Sequence, residues 1–376
     1  MIYKKFQDSK ISALGMGMMR LPQKDDKYSH IDEKATEEMI DYAIKKGVNY
    51  FDTAWGYHDG VSELVTGKIL SKYKRDSFYL ATKFPGYDLA NMTKVKEIFR
   101  KQLEKCRVDY FDFYLFHNVC EMNIDAYLDP KYGVYDYLIE QKRNGRIKHL
   151  GFSCHGDLPV LKRFLDAYGK DMEFCQLQIN WLDWKFQSAE QKVKMCNDYG
   201  VPVWVMEPVR GGKLVNLEPH HEKRLRALRS DESNVGWAFR FIQSIPTACM
   251  TLSGMSNFEQ LKQNIEIFET EKPLNDEELK ALQIIADEMT GKRLPCTECK
   301  YCTSHCPKEL NIPEIIKLYN EHVFSEGGFI APMALSAFPE DKLPSACVGC
   351  RSCEAVCPQK IKISEMMTDF VSKTKD

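Results

Sequence analysis

The chain has 376 residues, 44% hydrophobic and 28% charged, which allows one large globular domain plus a small one. A formal net charge of -2, with no basic block, excludes an electrostatic case for nucleic acid or an anionic membrane surface. The N-terminus MIYKKFQDSK lacks the apolar core of a signal peptide and no run of about 18 apolar residues occurs, so no membrane span and a cytoplasmic location are expected.

Helical and strand patterns alternate from residue 31 to about 266. The run GMGMMRL (15–21) reads as a first strand, with Gly15 and Gly17 allowing close packing and Met16, Met18 and Met19 assigned to the core. A helix carrying Ile40, Ala43 and Ile44 on one face ends near Gly47. Strands follow at NYFDTA (49–54) and FYLATK (78–83), then a helix with Val95, Ile98, Phe99 and Leu103. Further strands are DFYLFH (112–117), HLGFSC (149–154), FCQLQIN (174–180), VPVWVME (201–207, after the helix-ending Gly200) and TACMTLSG (247–254). Runs apolar on both faces suit parallel strands covered by helices. Eight of them over about 250 residues predict an α/β chain built on a (β/α)8 barrel. A doubly wound open sheet is the alternative, disfavoured by the count and by the missing GxGxxG turn. The segment 276–289 reads as an amphipathic helix, giving a barrel over 1–275, a linker helix over 276–292 and a small domain over 293–376.

Fourteen cysteines are unevenly placed. Cys106, Cys120, Cys154, Cys175, Cys196 and Cys249 are scattered, as ordinary buried thiols are. The other eight form Cys296-x2-Cys299-x2-Cys302-x3-Cys306-Pro307 and Cys347-x2-Cys350-x2-Cys353-x3-Cys357-Pro358. That is the bacterial ferredoxin run, present twice, in which three thiolates curl around one cubane and the fourth cysteine ligates the other. The implied 4Fe-4S sets are Cys296, Cys299, Cys302 and Cys357, then Cys347, Cys350, Cys353 and Cys306. Structural zinc is the alternative, but it needs only four ligands, fewer than two full runs supply. The resemblance to two-cluster ferredoxin domains covers about 295–360, with an insertion between the halves that includes a helix near 313–323. Adjacent clusters serve electron transfer or, alternatively, structure alone.

Polar residues gather where barrel active sites lie, at the C-terminal ends of the strands. Asp52 ends the second strand with Tyr57 in its loop, Lys83 ends the third and His117 the fourth. Singly, an aspartate caps turns, a lysine is solvated and a histidine is structural; on three consecutive strand ends they point to one site. Here the sequence resembles the aldo-keto reductases over about 1–266. The resemblance is carried by FDTAWGYHDGVSELVTGKIL (51–70), LATKF (80–84), DFYLFH (112–117) and GFS (151–153). It implies that Asp52, Tyr57, Lys83 and His117 form the catalytic tetrad. Tyrosine's ordinary pKa of about 10 is high for proton transfer near neutrality, and a nearby Lys83 ammonium is expected to lower it.

The resemblance also implies a nicotinamide cofactor, NAD(H) or NADP(H), gripped at the later strand ends. Ser153 and Gln176 match two gripping positions. Cys154 stands in place of the usual asparagine, and Met206 in place of the usual stacking aromatic. The loop Glu207-Pro208-Val209-Arg210-Gly211-Gly212 resembles a pyrophosphate-binding stretch. Ser253, Gly254, Ser256, Gln260 and Asn264 follow the layout of an adenosine-phosphate site. Gly254 and Gln260 replace positions that are often basic, which weakens a preference for NADP, and an FMN phosphate would fit the same place. Trp55, His58 and Trp181 either line a substrate pocket or pack.

Three functions remain in view. One is interconversion of a small carbonyl or alcohol substrate with nicotinamide, beside clusters that exchange electrons with a ferredoxin or other redox partner. A second replaces nicotinamide with FMN, which would reconcile two-electron chemistry with one-electron clusters. The third is an electron-transfer adaptor with a non-catalytic barrel, against which an intact tetrad argues.

Overall fold

The computed structural model describes residues 1–291 and 293–374; the expected end of the linker helix at residue 292 and the last two residues of the small domain lie outside the described residues. Two compact units divide the chain, Met1–Ala286 and Asp287–Asp376.

In the first unit, an antiparallel hairpin of β1 (Tyr3–Phe6) and β2 (Ser9–Ser12) precedes eight parallel strands. These are β3 (Leu14–Gly17), β4 (Tyr50–Asp52), β5 (Tyr79–Phe84), β6 (Phe111–Val119), β7 (Ile147–Cys154), β8 (Cys175–Gln178), β9 (Val203–Met206) and β10 (Ala248–Gly254). They close into a barrel in chain order, with β10 pairing β3. All eight expected strands are present, and the open sheet is excluded.

The first strand is shorter than its apolar run: β3 stops at Gly17, and Met19 is exposed rather than core. The close packing expected of Gly15 holds, because a methyl there would lie 2.8 Å from Met250 Sδ. Gly47 follows the helix Glu33–Lys45 at φ 92°, a conformation glycine adopts without steric penalty. The hairpin was not expected. Its Phe6 enters the barrel core, edge-on to Trp204 at 4.7 Å and close to Phe113 and Phe174.

Most of the helix Asp276–Met289 belongs to the first unit, where Arg229 Nε meets Glu278 Oε1 at 2.5 Å. The second unit is helical. The helices Ile312–Phe324 and Ile363–Lys373 bury Ile315, Ile316, Met367 and Phe370 around Cys302 and Cys353. Among the described residues no helix is long and apolar enough to cross a membrane.

Candidate active site and cysteine module

Parallel register puts the strand ends side by side. Gly17 is level with Asp52, Asp52 with Ala81, and Lys83 with Leu115. Asp52 and Lys83 therefore emerge on neighbouring strands, both fully buried. Lys83 Nζ is hydrogen-bonded to Asp52 Oδ1, donates to the Thr53 carbonyl at 2.9 Å and stands 3.5 Å from the Tyr57 hydroxyl. Tyr57 opens a short turn in which His58 and Asp59 have φ of 52° and 53°. The His117 ring lies edge-on to Tyr57, with centroids 6.0 Å apart. The four residues picked out in the sequence thus share one volume.

The electrostatics differ from expectation in one respect. Burial disfavours the Lys83 ammonium, but Asp52 and Tyr57 outweigh it and hold the amine charged. Burial pushes the Asp52 carboxyl up, against the pull of Lys83 and Gln176. For Tyr57 the expected lowering is reversed. Burial raises its pKa more than Lys83 lowers it, and Asp52 adds to the rise. The phenol therefore holds its proton and is ready to donate it.

His117 is held well below its ordinary value by burial, then by the charges of Lys83 and His155, so its imidazole is neutral. Its Nδ1 is buried without a hydrogen-bond partner. A buried N–H without an acceptor is rarer than an unused lone pair, which favours the proton on Nε2 and makes that nitrogen the donor.

A second buried layer, not foreseen from the sequence, braces Lys83. Glu63 accepts from Thr82 Oγ1 at 2.7 Å, Gln102 Nε2 at 2.8 Å and Lys105 Nζ at 3.1 Å. Gln102 also donates to the Lys83 carbonyl at 2.9 Å and accepts from the Tyr114 hydroxyl at 2.7 Å. Of the three candidate pocket residues, His58 is buried and tied to backbone. Its Nε2 accepts from Leu21 N–H at 3.1 Å and its Nδ1 lies 2.6 Å from the Tyr28 carbonyl. Trp181 is buried, and Trp55 lies beneath Lys105 Nζ at 4.2 Å.

The residues matched to cofactor binding occupy the ends of β7 to β10 and the loops beyond. Ser153 Oγ accepts from Asn118 N–H at 2.8 Å, and Gln176, level with it, donates to Asp52 Oδ2 at 3.4 Å. Met206 ends β9 half-buried, and Cys154 is a buried thiol whose pKa burial pushes up to about 12. In the next loop the Glu207 carbonyl accepts from Asn180, Pro208 is buried, and Arg210 Nε donates to both Asp183 oxygens at 3.1 Å. Glu207, Arg210, Gly211 and Gly212 all have positive φ. Ser253 Oγ accepts from Asn264 Nδ2 at 3.1 Å, Ser256 N–H donates to Gln260 Oε1 at 2.8 Å, and Gly254 ends β10.

In the second unit the eight cysteines line two separate cavities. One is lined by Cys296, Cys299, Cys302 and Cys357, with Ile316, Ile361 and Ile363 among its apolar walls. The other is lined by Cys306, Cys347, Cys350 and Cys353, with Leu310, Ile312 and Ile363. These are the two crossed quartets expected from the spacing, and Ile363 borders both. Each quartet runs from a buried thiol, Cys302 or Cys353, to an exposed one, Cys299 or Cys350. Four soft thiols around an apolar pocket fit a 4Fe-4S cluster in each cavity.

Comparison with known proteins agrees with both units. Residues 13–287 match the Aldo/keto reductase family, and residues 295–361 match the 4Fe-4S dicluster domain. An uncharacterized oxidoreductase of Bacillus subtilis is 25% identical over 307 residues, covering 73% of this chain and 93% of that protein. The NADH-specific methylglyoxal reductase of Escherichia coli is 24% identical over 224 residues, 55% of this chain and 66% of its own. The holo form of an aldo-keto reductase from Bacillus halodurans superposes with a TM-score of 0.63 at 26% identity, over 76% of this chain and 96% of that one. The chain belongs to the aldo-keto reductase family of oxidoreductases and carries a C-terminal 4Fe-4S dicluster domain.

Proposed function

We propose that the barrel interconverts a small carbonyl compound and its alcohol with NAD(H) or NADP(H), while the two cysteine quartets hold 4Fe-4S clusters that exchange electrons with a ferredoxin or similar carrier. The observation that carries this reading is Tyr57 standing beside the buried Lys83–Asp52 pair, with a neutral His117 facing it. Nicotinamide, when bound, supplies or accepts the hydride. In the reducing direction the substrate carbonyl oxygen lies between Tyr57 and His117. Nε2–H of His117 orients that oxygen, and the Tyr57 hydroxyl gives its proton to the alkoxide as negative charge develops. The phenolate left behind is stabilised by the Lys83 ammonium, which Asp52 keeps in place, until solvent reprotonates it. General acid catalysis of this kind contributes roughly 10²–10⁴-fold. Ser153, Gln176, Met206 and the loops 207–212 and 253–264 would hold the nucleotide, a reading the name of the Escherichia coli relative supports.

The test is Tyr57→Phe in anaerobically purified protein. Carbonyl reduction should fall by two or more orders of magnitude while the clusters' visible spectrum is unchanged. Undiminished turnover would remove Tyr57 from the chemistry, and absence of turnover in the parent chain would favour an adaptor role. A second reading, FMN in place of nicotinamide, is favoured by Met206 at the stacking position and by the one-electron character of the clusters. Extraction of the bound cofactor and its fluorescence separate the two.

A further inference from the structure

Building on the nucleotide reading above, we infer that Arg20 grips the cofactor's phosphate at the loop after β9. Arg20 follows β3 and is exposed. Its stem lies along the end of β10, where a methyl on Gly254 would meet Arg20 Cβ at 3.3 Å and Cγ and Cδ at 3.4 Å. Its fork reaches the loop after β9, where a methyl on Gly211 would stand 3.6 Å from Arg20 Nη2. The side chain thus spans the two loops matched to phosphate binding.

Among the described residues no carboxylate pairs with this guanidinium. Arg210, the arginine within the loop itself, is held instead by Asp183. A permanently charged fork suited to phosphate therefore stands over Gly211, whose missing side chain lets an anion approach the backbone. The segment bearing Arg20 is also fastened on both sides. Met19 accepts through its carbonyl from the Tyr28 hydroxyl at 3.1 Å, and Leu21 N–H donates to His58. Anchored neighbours reduce the ordering cost of binding.

The position of the fork indicates which phosphate is held. Gly254 faces only the aliphatic stem, whereas the nitrogens lie at Gly211. Arg20 therefore serves the phosphate common to NAD, NADP and their ADP fragment, or the single phosphate of FMN, and not the 2′-phosphate that distinguishes NADP.

The experiment is calorimetric titration of the full chain with NADH, NADPH, ADP and FMN, in parent, Arg20→Ala and Arg20→Lys forms, at two salt concentrations. Arg20→Ala should weaken the dinucleotides and ADP, or FMN if that is what binds, by about ten- to a hundredfold, the scale of charge-assisted hydrogen bonds. The factor should be the same for NADH and NADPH, with a flatter salt dependence and partial recovery in Arg20→Lys. Unchanged affinity in Arg20→Ala, with an unchanged melting curve as control, would overturn the inference and leave the proposed function standing. A loss confined to NADPH would overturn the assignment of the phosphate. A parent chain that binds none of the four would overturn the proposed function and this inference together.

Discussion

Substituting Lys83 by methionine tests the buried pair directly. Lys83 and Asp52 are both fully buried. Without the ammonium, Asp52 keeps only the 3.4 Å contact from Gln176, too little to hold a carboxylate away from water. The cheaper course for the protein is to protonate Asp52. At pH 7 that costs about 4 kcal/mol, from roughly three pH units above an ordinary aspartate pKa of about 3.9 at about 1.4 kcal/mol each. Because the folded-state pKa in the variant is raised above the unfolded value, the native state binds the extra proton. The defect should therefore shrink on acidification, by about 1.4 kcal/mol per pH unit towards pH 4. Urea unfolding followed by tryptophan fluorescence measures it cleanly, because all five tryptophans fall in the first unit. The double variant Asp52→Asn with Lys83→Met removes both charges and should recover most of the loss. A Lys83→Met defect that ignores pH between 5 and 8, or a double variant no better than the single, would refute the reasoning.

Crossed ligation makes a distinctive prediction for iron content. Cys306→Ser with Cys350→Ser strikes one quartet and should leave about four irons per chain, whereas Cys306→Ser with Cys299→Ser strikes both and should leave almost none, by iron and sulfide analysis. His58 satisfies Leu21 N–H and the Tyr28 carbonyl together only as the neutral Nδ1–H tautomer, and burial lowers its pKa. Its folded-state pKa lies below the unfolded value of about 6.5, so its contribution is present above that pH and is lost as pH falls below it. Urea titrations from pH 7.5 to 5.5 should show a shallower loss in His58→Gln than in the parent. Asp183→Ala removes the buried carboxylate that accepts from Arg210 Nε, Gln178 and Asn180, and should destabilise the barrel by a few kcal/mol. It should also weaken nucleotide binding, read by the same titrations as above.

The barrel was legible because each strand is a short run apolar on both faces, the pattern that burial between helices and barrel interior demands. The run 15–21 overshot because hydrophobicity does not mark where a ladder ends. Leu21 N–H goes to His58 instead of a neighbouring strand, and Met19 faces solvent. The hairpin escaped notice because YKKF and SKIS are mostly polar, with Phe6 and Ile11 joining the apolar core. The four polar residues could be picked out by type and position at the strand ends, their catalytic roles came only from the family resemblance, and the grouping of the cysteines came from the doubled spacing. Glu63 was not, since a carboxylate at a helix start reads as solvated, and its partners Thr82 and Gln102 lie 19 and 39 positions away. The direction of the Tyr57 shift was missed for a related reason: how deeply a group is buried is a property of the assembled fold.

Ile363 borders both cysteine cavities, so a buried apolar side chain lies against both quartets. Through apolar protein, negative charge on one side is felt more strongly on the other than it would be through water. Once iron fills both chambers, adding an electron to either should discourage a second from entering its neighbour. On the electron-transfer role proposed above, the pair would take up its two electrons at distinct potentials.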